Sequence, residues 1–415
     1  MPWPHALRSL ANRNLRLFFA GQSVSTIGTW MQNVAQGWLV YRLTSSATLL
    51  GTAGFLSQLP VFLFGLWAGS IADRVSRRRL VLATQTNALV QASVLAALTL
   101  SGVVRPWHIF ALAFLLGTSN AFEMPARQSL LADVAGGDDM ANAIGLNSTI
   151  FNLARAIGPG IAGWTVAAVG EGWCFALNAV SFAGTIYALA AMRFDEERRP
   201  APPSRRAHVL GGIAYTARTP YLAALLATLA VSALVAMPFS TFLPLFAKDV
   251  LHGDARVLGY LQGASGAGAL LAGVLLMLRK GLTGLGRRIA IGTTLLGTGV
   301  AGLAMSRTPL LSCAALVVAG FGMVTQSAGT MTLMQGLAPS EMRGRLSGLF
   351  SVSLMGLMPF GSLATGFAAQ RFGAPRVLFA GAIVVLAISL ALHAALPRLR
   401  DSLVAASGTS PPVIP

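Results

Sequence analysis

The sequence predicts an all-α membrane protein with twelve transmembrane helices arranged as two six-helix bundles. The prediction rests on composition, on the length of the apolar segments and on the positions of the basic residues. Of the 415 residues, 54% are hydrophobic and 10% are charged, and the mean hydropathy is +0.67. Soluble domains carry about 25% charged residues. A chain this apolar could not cover its own surface with polar groups, so lipid is its expected solvent.

The first bundle is predicted from six apolar segments separated by polar or charged intervals. A bilayer-spanning helix takes about 20 apolar residues. The segments are Leu15–Val40, Thr48–Ile71, Leu80–Leu100, Trp107–Phe122, Ala141–Val169 and Trp173–Met192. The basic N-terminus resembles a signal peptide, but the apolar segment is too long and lacks a convincing small-residue cleavage site. We therefore expect an uncleaved first helix.

The second bundle is predicted in the same way from six further segments. They are Tyr221–Phe246, Leu258–Leu278, Leu285–Met305, Leu310–Leu333, Leu346–Phe367 and Val377–Leu396. A charged, proline-rich stretch, "RFDEERRPAPPSRRAHVLGGIAYTARTP", separates the two sets, and such composition keeps a linker extended. The predicted organisation is a bundle over 1–193, a cytoplasmic linker over 194–220, a bundle over 221–400 and a flexible tail over 401–415.

A weak internal repeat suggests that the two bundles are related. "DDMANAIGLN" (138–147) and "SEMRGRLSGL" (340–349) both precede the fifth helix of their half, and both place an acid before Met and a Gly soon after. Pseudo-symmetric halves of this kind place a substrate site between them, near the middle of the membrane.

The basic residues predict the orientation in the membrane. The net charge is +17, and most of the 30 Lys and Arg residues lie in alternate intervals between the apolar segments. Cytoplasmic loops carry the excess of Lys and Arg, so both termini are predicted to be cytoplasmic in a multi-pass inner-membrane protein. Because the bases form short clusters rather than one soluble face, a nucleic-acid partner is not expected.

Cys174 and Cys313 lie in apolar surroundings and are expected to be unreactive packing residues.

The stretch "GSIADRVSRRR", between the second and third helices, carries the most specific motif. It resembles the loop motif of the major facilitator superfamily, Gly-x-x-x-Asp-Arg-x-Gly-Arg-Arg. The matching residues are Gly69, Asp73, Arg74, Arg77 and Arg78, and Ser76 replaces the second glycine. The resemblance implies the major facilitator fold over nearly the whole chain and a loop that locks the cytoplasmic side in the outward-facing state. The alternative is that these arginines only hold the loop in the cytoplasm.

Two further resemblances favour the efflux branch of that superfamily. "NLARAIGPGIAG" is similar to the Gly-Pro motif of the antiporters, through Gly158, Pro159, Gly160 and Gly163. The resemblance implies that this motif forms a hinge and a seal against proton leak. The alternative is ordinary glycine-mediated helix packing. "APSEMRGRLSGL" and the start of the chain resemble the exporters related to the enterobactin and macrolide efflux proteins.

A polar face on the first helix is a candidate wall of a substrate cavity. A polar face on a spanning helix is expected to face protein or water rather than lipid. The alternative is hydrogen bonding between helices. The residues of this face are Gln22, Thr26, Thr29, Asn33 and Gln36, spaced by three and four, and further candidates are Asn120, Asn147, Asn152, Gln326 and Thr330.

One charged residue at the end of an apolar segment and one deep within another are the candidates for coupling. Charge in lipid is costly. Glu123, near the inner end of the fourth segment, is a candidate proton-carrying carboxylate, although it could equally be an interface acid paired with Arg127. Arg155, deep in the fifth segment, could pair with Glu123, attract an anionic substrate group or bind helix carbonyls.

These observations predict a secondary active transporter that exports a small amphipathic compound by alternating access, in exchange for protons. We expect a monomer in the lipid bilayer, no metal and no cofactor, with the proton gradient as the driving force. The alternatives are a membrane sensor or scaffold without transport and a membrane enzyme. The five His residues are scattered, and the sequence contains no His-Glu-x-x-His, Gly-x-Ser-x-Gly or ATP-binding loop motif.

Overall fold

The structure, a computed structural model, describes residues 5–193, 214–279, 281–282 and 284–407. Most of the linker predicted at 194–220, and the end of the tail predicted at 401–415, lie outside these ranges. The described residues are almost all helical and contain no strand. The predicted all-α class is therefore confirmed.

Within the described ranges, a 3₁₀ helix over His5–Ala11 precedes the α-helices α1 to α13. Helices α1 to α5 span Arg13–Thr44, Ala47–Arg74, Arg77–Leu100, Pro106–Val169 and Glu171–Ala191. Helices α6 to α13 span Pro220–Val235, Phe239–Leu245, Ala255–Met277, Leu285–Met305, Pro309–Leu337, Ser340–Ser351, Met358–Phe372 and Ala374–Ser407. Short π-helical turns follow α7 at Phe246–Val250 and α11 at Val352–Gly356.

Ten helices among the described residues are long and apolar enough to cross a membrane. Ten of the twelve predicted segments correspond to these helices. The other two, α1 and the part of α4 after Gly136, are helical as predicted but less apolar. In α1 the reason is the series of Gln, Ser, Thr and Asn side chains along its length.

The predicted end of the fourth segment at Phe122 is wrong. Helix α4 runs on through the polar stretch 123–135 and continues to Val169, interrupted by Gly136 with φ 65° and ψ −176°. Residues with a side chain rarely adopt this backbone conformation, which glycine adopts readily. The fourth and fifth predicted segments are therefore joined by a bend at one residue rather than by a polar loop.

The predicted seventh segment is broken. Helix α6 ends at Val235, a turn covers residues 236–238, and α7 begins at Phe239. Pro238 has no N–H to donate to the preceding turn, so a continuous helix would lose a hydrogen bond there. The amide of Met237 instead donates to the carbonyl oxygen of Ser232 at 2.9 Å.

The described chain forms two compact units. Unit 1 comprises residues 5–45, 56–193 and 253–263, and unit 2 comprises residues 46–55, 214–252 and 264–407. Two short segments belong to a different unit from the rest of their predicted half. The start of α2 belongs to unit 2, and the start of α8 belongs to unit 1.

A glycine crossing explains the exchanged segment in each unit. In unit 1, a Cβ added to Gly163 would lie 2.6 Å from the carbonyl oxygen of Ala255 and 3.0 Å from the Cα of Gly259. In unit 2, a Cβ added to Gly366 would lie 2.9 Å from the carbonyl oxygen of Ala47 and 3.1 Å from the Cα of Gly51. Small residues of this kind let helix backbones approach closely in membranes.

The N-terminal 3₁₀ helix braces the bend in α4. Arg8 pairs with Asp139 at 3.4 Å, and the amide of Ser9 donates to the Asn142 side chain at 3.1 Å. Asn12 caps the start of α1, its side-chain oxygen accepting from the Asn14 amide at 2.9 Å. A cap of this kind contributes about 1 kcal/mol. Because Asn12 Nδ2 also donates to the carbonyl oxygen of Val134 at 3.3 Å, α4 is held on both sides of Gly136.

Candidate functional site

Glu123 lies in the middle of the first half of α4, with 8% of its surface exposed. Gln85 on α3 donates from its Nε2 to the Glu123 Oε1 at 2.9 Å. The Nη1 of Arg127, one helical turn further along α4, lies 3.6 Å from the same oxygen. Of the two arginine partners that the sequence leaves open, Arg127 is the one that makes an ion pair with Glu123. The site is thus a buried carboxylate that faces the Gln85 amide, the Thr84 hydroxyl and the Arg127 guanidinium.

The loop motif forms the junction between α2 and α3. Ser76, which stands where the motif has glycine, has φ −57°, and its hydroxyl accepts from the Arg79 amide at 3.2 Å. This position therefore needs no left-handed backbone, and serine is a favoured N-cap. The replacement of the motif glycine by Ser76 therefore introduces no backbone strain at this turn.

The arginines of the motif divide into anchored and exposed ones. Arg77 forms a largely buried ion pair with Asp133 on α4, and Arg78 donates to the carbonyl oxygen of Ala190 at 2.7 Å. Arg74 and Arg79 are exposed, and Gly69 is buried. Asp73 belongs to the last turn of α2, and its side chain is outside the part of the chain that the structure describes. The anchored arginines tie the junction to α4 and α5 within unit 1.

The glycines of the Gly-Pro motif differ in their surroundings. A Cβ added to Gly158 would lie 2.8 Å from the Cβ of Trp30 and 3.2 Å from the carbonyl oxygen of Ile27, both on α1. Nothing lies within 4 Å of the same position at Gly160. Pro159 lies inside α4, and its carbonyl oxygen approaches Gly259. The motif therefore brings α4 close to α1 and, through Gly163, close to α8.

The predicted polar face of α1 is divided between buried and exposed residues. Gln22 and Thr26 are buried and bonded to each other, with Gln22 Nε2 donating to Thr26 Oγ1 at 2.9 Å. Thr29 is half-buried and donates to the carbonyl oxygen of Ser25 at 2.8 Å. Asn33 is exposed and Gln36 is half-buried. A cavity wall fits Asn33, Gln36 and Thr29 better than Gln22 and Thr26.

Gln326, a candidate residue of the substrate cavity, lies in a contact between two helices of unit 2. Gln326 is fully buried in unit 2, and its Nε2 donates to Ser232 Oγ at 2.9 Å. It therefore joins α10 to α6, which is the alternative role of hydrogen bonding between helices. Asn120, by contrast, is exposed on α4.

A buried amide network in unit 1 was not predicted. Gln32 on α1 is fully buried, donates to Gln91 Oε1 on α3 at 2.9 Å and accepts from Asn178 Nδ2 on α5 at 2.8 Å. A Cβ at Gly28 would lie 2.8 Å from Ser181 Oγ, which donates to Asn178. The available signal was that Asn178 is the one amide side chain in the apolar sequence of α5.

Arg155 lies beside an aromatic pair. Its guanidinium carbon is 5.8 Å from the centroid of the Trp30 ring, within the range of cation–π attraction. Trp30 and Phe151 meet edge to face, with ring centroids 5.9 Å apart. This places one cation and two aromatic rings on adjoining faces of α1 and α4. Among the described residues, no group of His, Cys, Asp or Glu side chains could hold a metal ion.

Solved structures with the same fold define the class of protein. A bacterial homologue of the human lysosomal transporter Spinster, in an inward-facing and unoccupied conformation, matches with a TM-score of 0.70 and 15% identity over 94% of this chain and 97% of its own. The nucleoside transporter NupG matches with a TM-score of 0.72 and 13% identity over 92% and 98%. The fold is that of the major facilitator transporters, as the loop motif implied.

The chain belongs to the transmembrane secretion effector family of that superfamily, whose model matches residues 5–413. It is 23% identical to a staphyloferrin A transporter of Staphylococcus aureus, over 91% of this chain and 95% of the relative. It is 27% identical to the multidrug efflux pump Tap of Mycolicibacterium fortuitum over 93% and 96%, and 22% identical to macrolide efflux protein A of Streptococcus pyogenes over 88% and 92%. The relatives and structural neighbours are membrane transporters, so the alternative of a membrane enzyme is set aside.

Proposed function

We propose that the protein is a secondary active exporter that moves a small amphipathic compound out across the cytoplasmic membrane in exchange for protons. The observation that carries the proposal is the match of nearly the whole chain to the secretion effector family. The relatives named for multidrug and macrolide efflux support the direction of transport. The proton gradient supplies the driving force, and the protein works as a monomer with both termini in the cytoplasm.

Glu123 is the residue that we propose binds and releases the coupling proton. A carboxylate within a membrane-spanning helix is costly, and such residues mark ion and proton pathways. Gln85 serves either protonation state, because its amide can donate to a carboxylate or accept from a carboxylic acid. Arg127 stabilises the ionised form and loses its partner when the proton binds. Protonation therefore changes the contacts between α3 and α4.

The two glycine crossings are contacts that we propose open and close during transport. Gly163 and Gly259 in unit 1, like Gly51 and Gly366 in unit 2, each bring a helix of the first predicted bundle against a helix of the second. Alternating access requires contacts of this kind to separate. In the orientation proposed from the basic residues, both crossings lie toward the outer ends of their helices.

The junction between α2 and α3 remains the proposed cytoplasmic lock. Its backbone is held by the Ser76 cap and by the Arg77 ion pair with Asp133. A rigid junction can present Asp73 and Arg74 to a partner in one conformation and not in the other. This follows the role implied by the resemblance.

Export is tested by expressing the full chain in an efflux-deficient bacterial host and screening a panel of amphipathic compounds. We expect increased resistance and reduced accumulation for a subset of compounds, and we expect an uncoupler to abolish both. Resistance that persists with the uncoupler present would contradict a gradient-driven exporter. A chain that changes the accumulation of no compound would support the sensor or scaffold alternative.

Coupling is tested with Glu123→Gln in everted membrane vesicles, using a compound identified by the screen. We expect the variant to lose export driven by a pH gradient by at least about tenfold, a reduction typical of removing an acid–base group. It should keep binding and downhill exchange. Glu341→Gln, at an exposed acid outside the buried site, is the matched control. Undiminished gradient-driven export by Glu123→Gln would place the coupling proton elsewhere.

A further inference from the structure

The group formed by Trp30, Phe151 and Arg155 in unit 1 has the composition of a binding site. Arg155 lies in α4 about midway between the bend at Gly136 and the end of the helix at Val169. A guanidinium at that depth is costly in lipid, and such residues face protein or a water-filled cavity. Its stacking contact with Trp30 holds it beside α1.

Gly158 is what allows this arrangement. A side chain at Gly158, one turn beyond Arg155, would collide with the Cβ of Trp30 at 2.8 Å and with the Ile27 carbonyl oxygen at 3.2 Å. Without a side chain there, α1 comes close enough for the indole to lie beside the guanidinium. The first glycine of the Gly-Pro motif thus has a local role in shaping this group, separate from any seal.

The group is accessible on one side. Phe151 is 46% exposed, and Trp30 and Arg155 are half-buried. Trp30 is four residues after Thr26 and three before the exposed Asn33, so it borders the polar face of α1. A molecule that contacts the two rings would therefore have polar side chains on one flank.

The chemistry of the group favours an anion with an aromatic ring. The contact with Trp30 is a cation–π attraction at 5.8 Å, whereas a carboxylate, sulfonate or phosphate is bound by the N–H groups at the edge of a guanidinium. Both contacts can exist at once. The edge-to-face pair of Trp30 and Phe151 offers an apolar surface for a planar ring. A cationic compound would be repelled by the same guanidinium.

We propose that Trp30, Phe151 and Arg155 form a substrate subsite that accepts a planar aromatic compound bearing an anionic group. The proposal rests on the proposed function, because it names the chemical class of the exported compound. Arg155 binds the anionic group, and the two rings contact the aromatic part. Asn33 lies beside the subsite on α1 and is accessible to the polar part of a larger substrate.

The test is equilibrium binding to the purified full chain in lipid nanodiscs. The probes are 2-naphthoate and its uncharged amide, 2-naphthamide, which differ in charge but not in ring size. We expect the wild type to bind the naphthoate at least about tenfold more tightly, as one charge-assisted hydrogen bond provides. Arg155→Gln should remove that preference, whereas Arg155→Lys should keep part of it.

The control is Arg256→Gln. Arg256 also stacks on a tryptophan of unit 1, Trp164, at 4.8 Å, but it lies near the start of α8. Its substitution should leave the preference unchanged. Equal binding of the two probes by the wild type, no binding of the naphthoate, or a preference that survives Arg155→Gln in a protein with unchanged thermal stability would each overturn the proposal. Because no pH gradient is used, a failure of proton coupling at Glu123 would not affect the result.

Discussion

At the scale of single residues, the positions of the motif glycines differ in what they allow. Gly163 faces the backbone of α8, whereas Gly160, three residues earlier in the same helix, has nothing within 4 Å of its added Cβ. The backbone of a neighbouring helix cannot yield as a flexible side chain can. The same chemical change therefore has opposite expected effects at the two positions.

We predict that Gly163→Ala lowers stability by about 1–3 kcal/mol, the usual cost of overpacking. Gly160→Ala should be neutral or stabilising by up to about 1 kcal/mol, because alanine is the better helix former. Thermal unfolding of both variants in detergent measures the difference. Equal apparent Tm values for the two variants would show that the crossing between α4 and α8 is looser than described.

At the scale of helices, α1 carries polar groups on two faces with different surroundings. Gln32 belongs to a face that packs on α3 and α5, and the adjacent Asn33 is exposed. Adjacent residues on a helix are separated by about 100°, so the change from buried to exposed takes one position. Hydrogen bonds between helices in membranes contribute about 0.6 kcal/mol on average.

We predict that Gln32→Ala lowers the free energy of unfolding by about 1–3 kcal/mol, because Gln91 Oε1 and Asn178 Nδ2 each lose their hydrogen bond to Gln32 in the interior. Asn33→Ala should change stability by less than about 0.5 kcal/mol, as is usual at exposed sites. Unfolding of the two variants in the same detergent makes the comparison. A loss of stability in Asn33→Ala but not in Gln32→Ala would show that Asn33, not Gln32, lies on the buried face of α1.

The sequence predicted the helices well and their buried contacts poorly. Apolar length identifies spans, so all twelve segments proved helical. Apolar length does not show that the polar stretch 123–135 continues a helix. Buried ion pairs such as Arg77 with Asp133 offset the cost of its charges, and these pairs are not visible in the sequence. Spacing on α1 grouped Gln22 with Asn33, but only packing against α3 and α5 decides which amides are buried. Arg127, four residues from Glu123, could be read from the sequence as its partner, whereas Gln85 and the Gln326 partner Ser232 are distant in sequence and could not.

At the scale of the whole molecule, the contacts at the start of α2 offer a test of movement during transport. In unit 2, the Gln370 side-chain oxygen lies 2.8 Å from the Ala47 amide and 3.2 Å from the Ser46 hydroxyl. Both of these residues precede or begin α2, which belongs to the first predicted bundle. A covalent link here would hold together two segments that alternating access must separate.

We predict that the double variant Ser46→Cys, Gln370→Cys loses at least about 90% of its export activity on oxidation and recovers it on reduction, because the link prevents separation. The control pair is Asn14→Cys, Arg193→Cys, at positions joined by hydrogen bonds of 2.9 and 3.0 Å within unit 1. Oxidation of the control should leave export unchanged. Full activity of the first pair after complete cross-linking would mean that transport does not separate these segments.

The bend at Gly136 has a practical consequence for mapping the topology of the protein. The fourth and fifth predicted segments are joined by a single residue. The bend therefore has no loop residues that could accommodate an inserted epitope, reporter domain or protease site. Lengthening it would shift Asp133 and Asp139 away from Arg77 and Arg8 at once. Reporters belong instead at the turns containing Gly102, between α3 and α4, and Gly373, between α12 and α13.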